Sequence, residues 1–174
     1  MTKNSKGITL IELLVTLSIV AILAALAAPN FKDLILNNRR TTQVNEFVLA
    51  MSYARSEAVK RGTPVTVCGR ATDTSCVGNT DWDGGWLVFV DSPSPHGDGV
   101  VDGTDPVLQV RPALEGGNTL RSGVRSSVTF QSNGFITGND TFNLCDLRGE
   151  DSGSQIILSL QGWLNTQTGA SACP

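Results

Sequence analysis

The sequence predicts an α+β protein in which one long amino-terminal helix is followed by an antiparallel β domain. Two observations predict it. Apolar and helix-favouring residues run from Ile8 to Arg61 with a single proline as interruption, and beyond Gly62 the texture changes to short runs rich in valine, isoleucine and threonine, separated by Gly, Asn, Asp and Pro. No crossover helix lies between those runs, so the strands pair antiparallel, in one sheet or two.

The helix begins as KGITLIELLVTLSIVAILAALAAPNF. From Ile8 to Ala28 it carries one charge, Glu12, over a length close to the roughly 20 residues that span a hydrocarbon core. A charge at the centre of a membrane helix costs roughly 2.5 to 3.5 kcal/mol, so anchoring alone gives no reason to keep Glu12. Lys3 and Lys6 precede the run without an acid, which holds the amino terminus on the cytoplasmic side and sends the bulk of the chain across the membrane. A secretory signal peptide shares the basic start, and Ala24, Ala25, Ala27 and Ala28 suit its cleavage site. Its apolar core is shorter, and a retained anchor is the favoured reading.

After Pro29, expected to kink or locally break the helix, the helical pattern resumes. Val44, Phe47, Met51, Ala54 and Ala58 recur at helical spacing and line one face that must pack on something. Lys60 and Arg61 suit the negative end of a helix, and Gly62 suits the left-handed residue that ends it. Strands are expected at PVTVCG from Pro64, GWLVFVD from Gly85, PVLQVR from Pro106, SVTFQ from Ser127, FNLCDL from Phe142 and SQIILSLQG from Ser154. Four cysteines in an exported domain read first as disulfides. Nearness in the chain favours Cys68–Cys76 and Cys145–Cys173 among the three possible connectivities. No C-x-x-C spacing supports a zinc site.

KGITLIELL resembles the class III signal of type IV prepilins and type II secretion pseudopilins, with isoleucine where phenylalanine is more usual. The resemblance implies cleavage by prepilin peptidase between Gly7 and Ile8, N-methylation of Ile8, and pairing of Glu12 with the terminal amine of a neighbouring subunit. YARSEAVKRG, DWDGGWLVFVD and LQVRPAL are similar to the FimT, FimU and GspH family of minor pilins and pseudopilins, FimU-like members above all. That family implies a spine helix packed on an antiparallel β-sandwich. The expected layout is a leader over 1–7, an anchor and filament-core helix over 8–28, the rest of the spine over 29–62 and a periplasmic β domain over 63–174. The implied role is a structural minor pilin that primes pilus assembly and sits near the tip, held until then in the inner membrane by a single span. The alternatives are a pseudopilin of type II secretion and a DNA-uptake receptor. Implied partners are the lipid bilayer, other minor and major pilins, prepilin peptidase and the inner-membrane assembly platform.

Other residues were weighed against this. Trp82, Trp86 and Trp163 are expected to fill the sandwich or its edge, a sugar-stacking surface being the lesser reading. Asp98, Asp102 and Asp105 form a weak calcium candidate, with Ser94 and His96 ahead of them in a loop stiffened by Pro93 and Pro95; their spacing is not that of an EF-hand, and a solvated loop is expected. His96 is the sole histidine, and no nucleophile has a base and an orienting acid, so neither an enzyme nor a cofactor is expected. Arg111, Arg121 and Arg125 are expected to be solvated or paired rather than to form a phosphate strip. DNA receptors of the FimT type are implied to use arginines in a G-R-x-R segment near the carboxyl terminus. Gly162, Trp163, Leu164 and Asn165 stand there instead, and the net charge is −3, so DNA is not an expected partner.

Overall fold

The computed structural model describes residues 7–91, 98–103 and 105–173, with the side chains of 27–30 set aside. Lys3 and Lys6 of the leader, and Pro93, Ser94, Pro95 and His96 of the loop, lie outside the described residues. The chain divides into two compact units, residues 1–38 and 39–174.

Helix α1 spans Leu10–Arg61. It continues through Pro29, where a kink or local break is expected, without a break in the helix. Proline removes one hydrogen bond to the carbonyl four residues earlier, and the alanine- and leucine-rich flanks of Pro29 hold helical geometry around that loss. Its end is as expected: the Gly62 N–H donates to the Ala58 carbonyl at 2.9 Å, and Gly62 takes a left-handed φ of 68°.

Nine strands follow among the described residues: β1 (Val65–Thr72), β2 (Ser75–Cys76), β3 (Trp86–Val90), β4 (Val107–Arg111), β5 (Thr119–Ser122), β6 (Ser127–Phe130), β7 (Asp140–Cys145), β8 (Ser154–Leu158) and β9 (Leu164–Thr168). All pairings are antiparallel. One sheet runs β2-β1-β3-β4 with β6 also on β1, and the other runs β5-β7-β8-β9. The six strands expected from sequence are present, and β2, β5 and β9 are additional.

One core joins the second unit. Val44, Phe47, Met51, Ala54 and Ala58 of α1 are buried with Val65, Val67, Trp86, Val88, Val128 and Phe130 of the first sheet and Leu120, Phe142, Leu144, Ile156 and Leu158 of the second. The helical face read from spacing is thus the face that packs. Phe47 sits at the centre, edge-on to Trp82 and Trp86 with ring centroids at 5.8 and 5.2 Å. Strand β3 is buried throughout because Leu87 and Phe89, pointing away from this core, form a second cluster with Cys68, packed against Cys76, Val101 and Val107.

Both expected disulfides are formed, Cys68 to Cys76 and Cys145 to Cys173. The first joins β1 to β2, and the second fastens the carboxyl-terminal segment to the end of β7. Asn143 supports the second bridge, its Oδ1 accepting the Ser171 N–H at 3.0 Å.

Candidate functional site

The first candidate is the apolar half of α1. Every side chain from Leu10 to Leu26 is exposed, and none of the apolar window is buried against the chain. Leaving so continuous an apolar surface in water opposes the hydrophobic effect, so its solvent must be lipid or other helices. The segment settles its own hydroxyls: Thr16 Oγ1 donates to the Leu13 carbonyl at 2.9 Å and Ser18 Oγ to the Leu14 carbonyl at 2.7 Å. Gly7 and Ile8 precede the helix and are exposed.

Glu12 lies in the first turn. Its N–H donates to Thr9 Oγ1 at 3.3 Å, which makes Thr9 the cap of α1. Sequence reading passed over this cap, although Thr9-x-x-Glu12 is the pattern of a capping box. Among the described residues the Glu12 carboxylate has no partner, so the acid is a spare anionic group on an apolar helix.

The second unit places the remaining candidates. Trp82 and Trp86 are buried as expected, whereas Trp163 is 67% exposed. It follows the left-handed Gly162 at the β8–β9 turn, which aims the indole out of the sheet and over α1, where the Arg55 guanidinium lies 4.7 Å from its ring centroid. A side chain at Gly162 would strike the Gly134 carbonyl, Phe130 and Arg55. Trp163, Leu164, Arg55, Val48 and Val59 line an open cavity of about 620 Å³.

Two of the three candidate phosphate arginines are ion-paired. Arg111 pairs with Glu46, its Nε donating at 3.1 Å, and Arg121 pairs with Asp81 at 3.1 Å and with Asp83. Arg125 differs: its guanidinium fills the space beside Gly138, and its buried Nε has no hydrogen-bond partner among the described residues. Asp98 Oδ1 accepts the Val100 N–H and Asp105 Oδ2 accepts the Asp102 N–H, at 2.8 and 3.1 Å, so these carboxylates serve turns. Among the described residues no group of three or more His, Cys, Asp or Glu can hold a metal ion.

Among the described residues three acids have displaced protonation. The Arg61 hydrogen bond to Glu57, at 2.6 Å, holds that carboxyl below its usual range against the opposing effect of burial, with Lys60 helping. Burial pushes Asp146 up, but Arg148 hydrogen bonds outweigh it and the net shift is down. Burial dominates at Asp91 and raises it, although Thr66 Oγ1 and the Gly99 N–H donate to its Oδ2 at 2.6 and 3.0 Å.

An exposed apolar helical stretch in the first unit, and a helix packed on two antiparallel sheets in the second, make up a pilin-like α+β fold. The description "Type II transport protein GspH" matches residues 43–162, and the prokaryotic N-terminal methylation motif matches residues 2–28. The chain belongs to the GspH family and carries the prokaryotic N-terminal methylation motif. The fold is similar to that of the type IV minor pilin FimU of Pseudomonas aeruginosa, with a TM-score of 0.63 at 19% identity over 79% of this chain and 96% of that one. It is also similar to the minor pseudopilin EpsH of the Vibrio cholerae type 2 secretion system, with a TM-score of 0.52 at 12% identity over 75% and 97%. A fimbrial protein of Pseudomonas aeruginosa is 36% identical over 72 residues, 41% of this chain and 46% of the relative, so the match spans about half of that relative's length.

Proposed function

We propose that the chain is a minor pilin that primes assembly of a type IV pilus and enters it near the tip, after prepilin peptidase cuts between Gly7 and Ile8 and methylates Ile8. The observation that carries this reading is the Glu12 carboxylate, without a partner among the described residues, on a helix whose apolar surface is wholly exposed. Burying a lone carboxylate among neighbouring helices is favourable only when a cation meets it, and cleavage after Gly7 frees the Ile8 amine as the one basic group the anchor can offer a neighbour. In this reading the β domain is periplasmic, the anchor crosses the inner membrane once, and the assembly platform and other pilins are the partners. The chain then acts by docking, with no enzymatic step.

A second reading, a minor pseudopilin of type II secretion, is favoured by the GspH match. Deleting the gene separates the two: loss of surface pili with secretion intact supports the pilus, and the reverse supports secretion. Amino-terminal sequencing of the membrane form should begin at N-methylated Ile8; an uncut chain beginning at Met1 would contradict both. DNA uptake is disfavoured because Arg111 and Arg121 are ion-paired within the chain. Retardation of duplex DNA by the full chain in detergent should be weak at every salt concentration, whereas tight binding that weakens steeply with salt would favour the receptor.

A further inference from the structure

Strand β9 has one edge on β8 and the other open. Its register pairs Leu158 with Leu164, Ile156 with Thr166 and Ser154 with Thr168. At the two ends of the hairpin, the Gly169 N–H donates to the Gly153 carbonyl and the Ser159 N–H to the Trp163 carbonyl. Hydrogen-bonded pairs alternate along an antiparallel ladder, so Asn165 and Gln167 spend their backbone groups on β8 while those of Leu164, Thr166 and Thr168 point away from it. Three N–H and three C=O groups thus face outward at a repeat of roughly 6.8 Å, the spacing that another strand's backbone matches.

The far edge of the same sheet, and the β4 edge of the other, are guarded. The segment before β3 covers β5, with Trp82 N–H on the Leu120 carbonyl, Ser122 N–H on the Thr80 carbonyl and Leu120 N–H on Asp83 Oδ1. Strand β4 lies between Pro106 and Pro112, carries Arg111 and pairs with β3 through a register irregularity. Strand β9, LNTQT, has no charge and no proline, the devices that keep an edge from pairing.

Beside the open edge α1 presents small side chains, and the space between is not filled. The 620 Å³ cavity lies at the Leu164 end, and a second of about 180 Å³ lies at the Thr166–Thr168 end, lined also by Thr41, Val44 and Asn45. The residues lining these two cavities include Arg55, Lys60 and Arg40 and no acid, although the whole chain is net acidic. Arg40 is anchored on the Ser152 carbonyl, and Arg55 is held by the Gly134 carbonyl at 3.1 Å. The exposed Trp163 beside Arg55 supplies the pair of residue types that dominate interface energies.

The geometry points to β9 as an acceptor strand: an extended segment of a neighbouring subunit, uncharged at its centre and acidic at its ends, adds to the β5-β7-β8-β9 sheet and lies in the groove beside α1. Backbone hydrogen bonds to Leu164, Thr166 and Thr168 provide affinity, and the arginines at the two ends of the groove select the acidic flanks. That the segment belongs to a neighbouring subunit rests on the function proposed above; its chemistry rests on the groove alone.

The test uses the full chain in detergent and a short synthetic peptide of alternating threonine and valine with paired aspartates at each end. On adding it, the Leu164, Thr166 and Thr168 amides should gain protection from hydrogen exchange, while Asn165 and Gln167, already bonded to β8, change little. The same peptide with lysines for aspartates should bind at least tenfold more weakly. Thr166→Pro deletes an outward N–H without touching the β8 ladder and should weaken binding roughly fivefold or more. Unchanged exchange at all three amides under saturating peptide, or equal binding of the lysine-ended peptide, overturns the inference. Protection of those amides by the chain's own rising concentration, without peptide, assigns the edge to a second copy and likewise overturns it. Should Thr166→Pro fail to fold, the exchange result on the unaltered chain still decides. Filament recruitment does not enter this readout, so a failed peptide leaves the assembly role standing, and a failed assembly role leaves the groove's chemistry tested.

Discussion

Two stretches of one helix meet different surroundings. Between Gln43 and Ala58, α1 buries Val44, Phe47, Ala50, Met51, Ala54 and Ala58 in its own domain; between Leu10 and Leu26 it buries nothing. The buried apolar residues between Gln43 and Ala58 form one stripe, whereas apolar residues between Leu10 and Leu26 cover the whole circumference, and that distribution decides the outcome. A stripe is satisfied by one partner surface, here two sheets. A helix apolar all round needs a solvent, which a membrane or a bundle of like helices provides. The difference teaches that the two stretches do separate work: one holds the domain together, and the other is left exposed, as the anchoring and assembly proposed for it require.

The comparison breaks most easily at Phe47. Phe47→Ala removes the ring that touches Trp82, Trp86 and Phe142 and should destabilise the folded domain by about 3 to 5 kcal/mol, measured by denaturant unfolding in detergent. Leu14→Ala, in the exposed stretch, should leave that transition unmoved. Comparable losses from both would show that the first stretch packs on its own domain after all.

The disulfides sharpen the contrast within the domain. Replacing Cys145 and Cys173 by serine opens a loop with a sequence separation of 28 and should cost about 3.5 kcal/mol on the chain-entropy account. Opening Cys68–Cys76, with a separation of 8, should cost about 2.5 kcal/mol, and neither loss should alter membrane insertion of the first stretch. A larger loss from the shorter loop would mean that packing of Cys68 against Leu87 and Phe89, not chain entropy, sets the effect.

The smallest effect is on pH dependence. The folded state raises the Asp91 carboxyl, so it binds a proton that the unfolded chain has already released; its contribution is present in acid and fades as pH rises from the ordinary carboxylate range through the raised value. Glu57 and Asp146 are lowered and act with the opposite sign, adding stability above the ordinary carboxylate range that is lost as pH falls through their lowered values. Asp91→Asn should therefore become more stable relative to the unaltered chain as pH rises. A stability difference independent of pH would contradict the assignment of Asp91.

Much of this was legible in the sequence because periodicity is a direct record of burial. The helical stripe from Val44 to Ala58, the run WLVFV of β3, the Gly62 stop and both disulfides are found where spacing put them. The three unexpected strands lack such a record. Strand β2 has two residues, β5 is only TLRS, and β9 has an uncharged polar sequence that is exposed except at Leu164, so backbone pairing alone defines it. The same holds for Trp163. Tryptophan is buried on average, but the left-handed turn at Gly162 overrides that average, and a turn's direction is not written in residue type.

The most direct test of the separate role of the first stretch is Glu12→Ala. Alanine retains the N–H that Thr9 Oγ1 accepts, so the start of α1 is preserved and only the carboxylate is lost. The processed subunit would be quantified in membranes and in sheared filaments for both forms. The account predicts unchanged insertion and unchanged cleavage after Gly7, with at least a tenfold fall in the filament fraction, since removing one member of a buried ion pair is strongly destabilising. An unaltered level of Glu12→Ala in filaments would contradict it, because the carboxylate would then have no part in assembly.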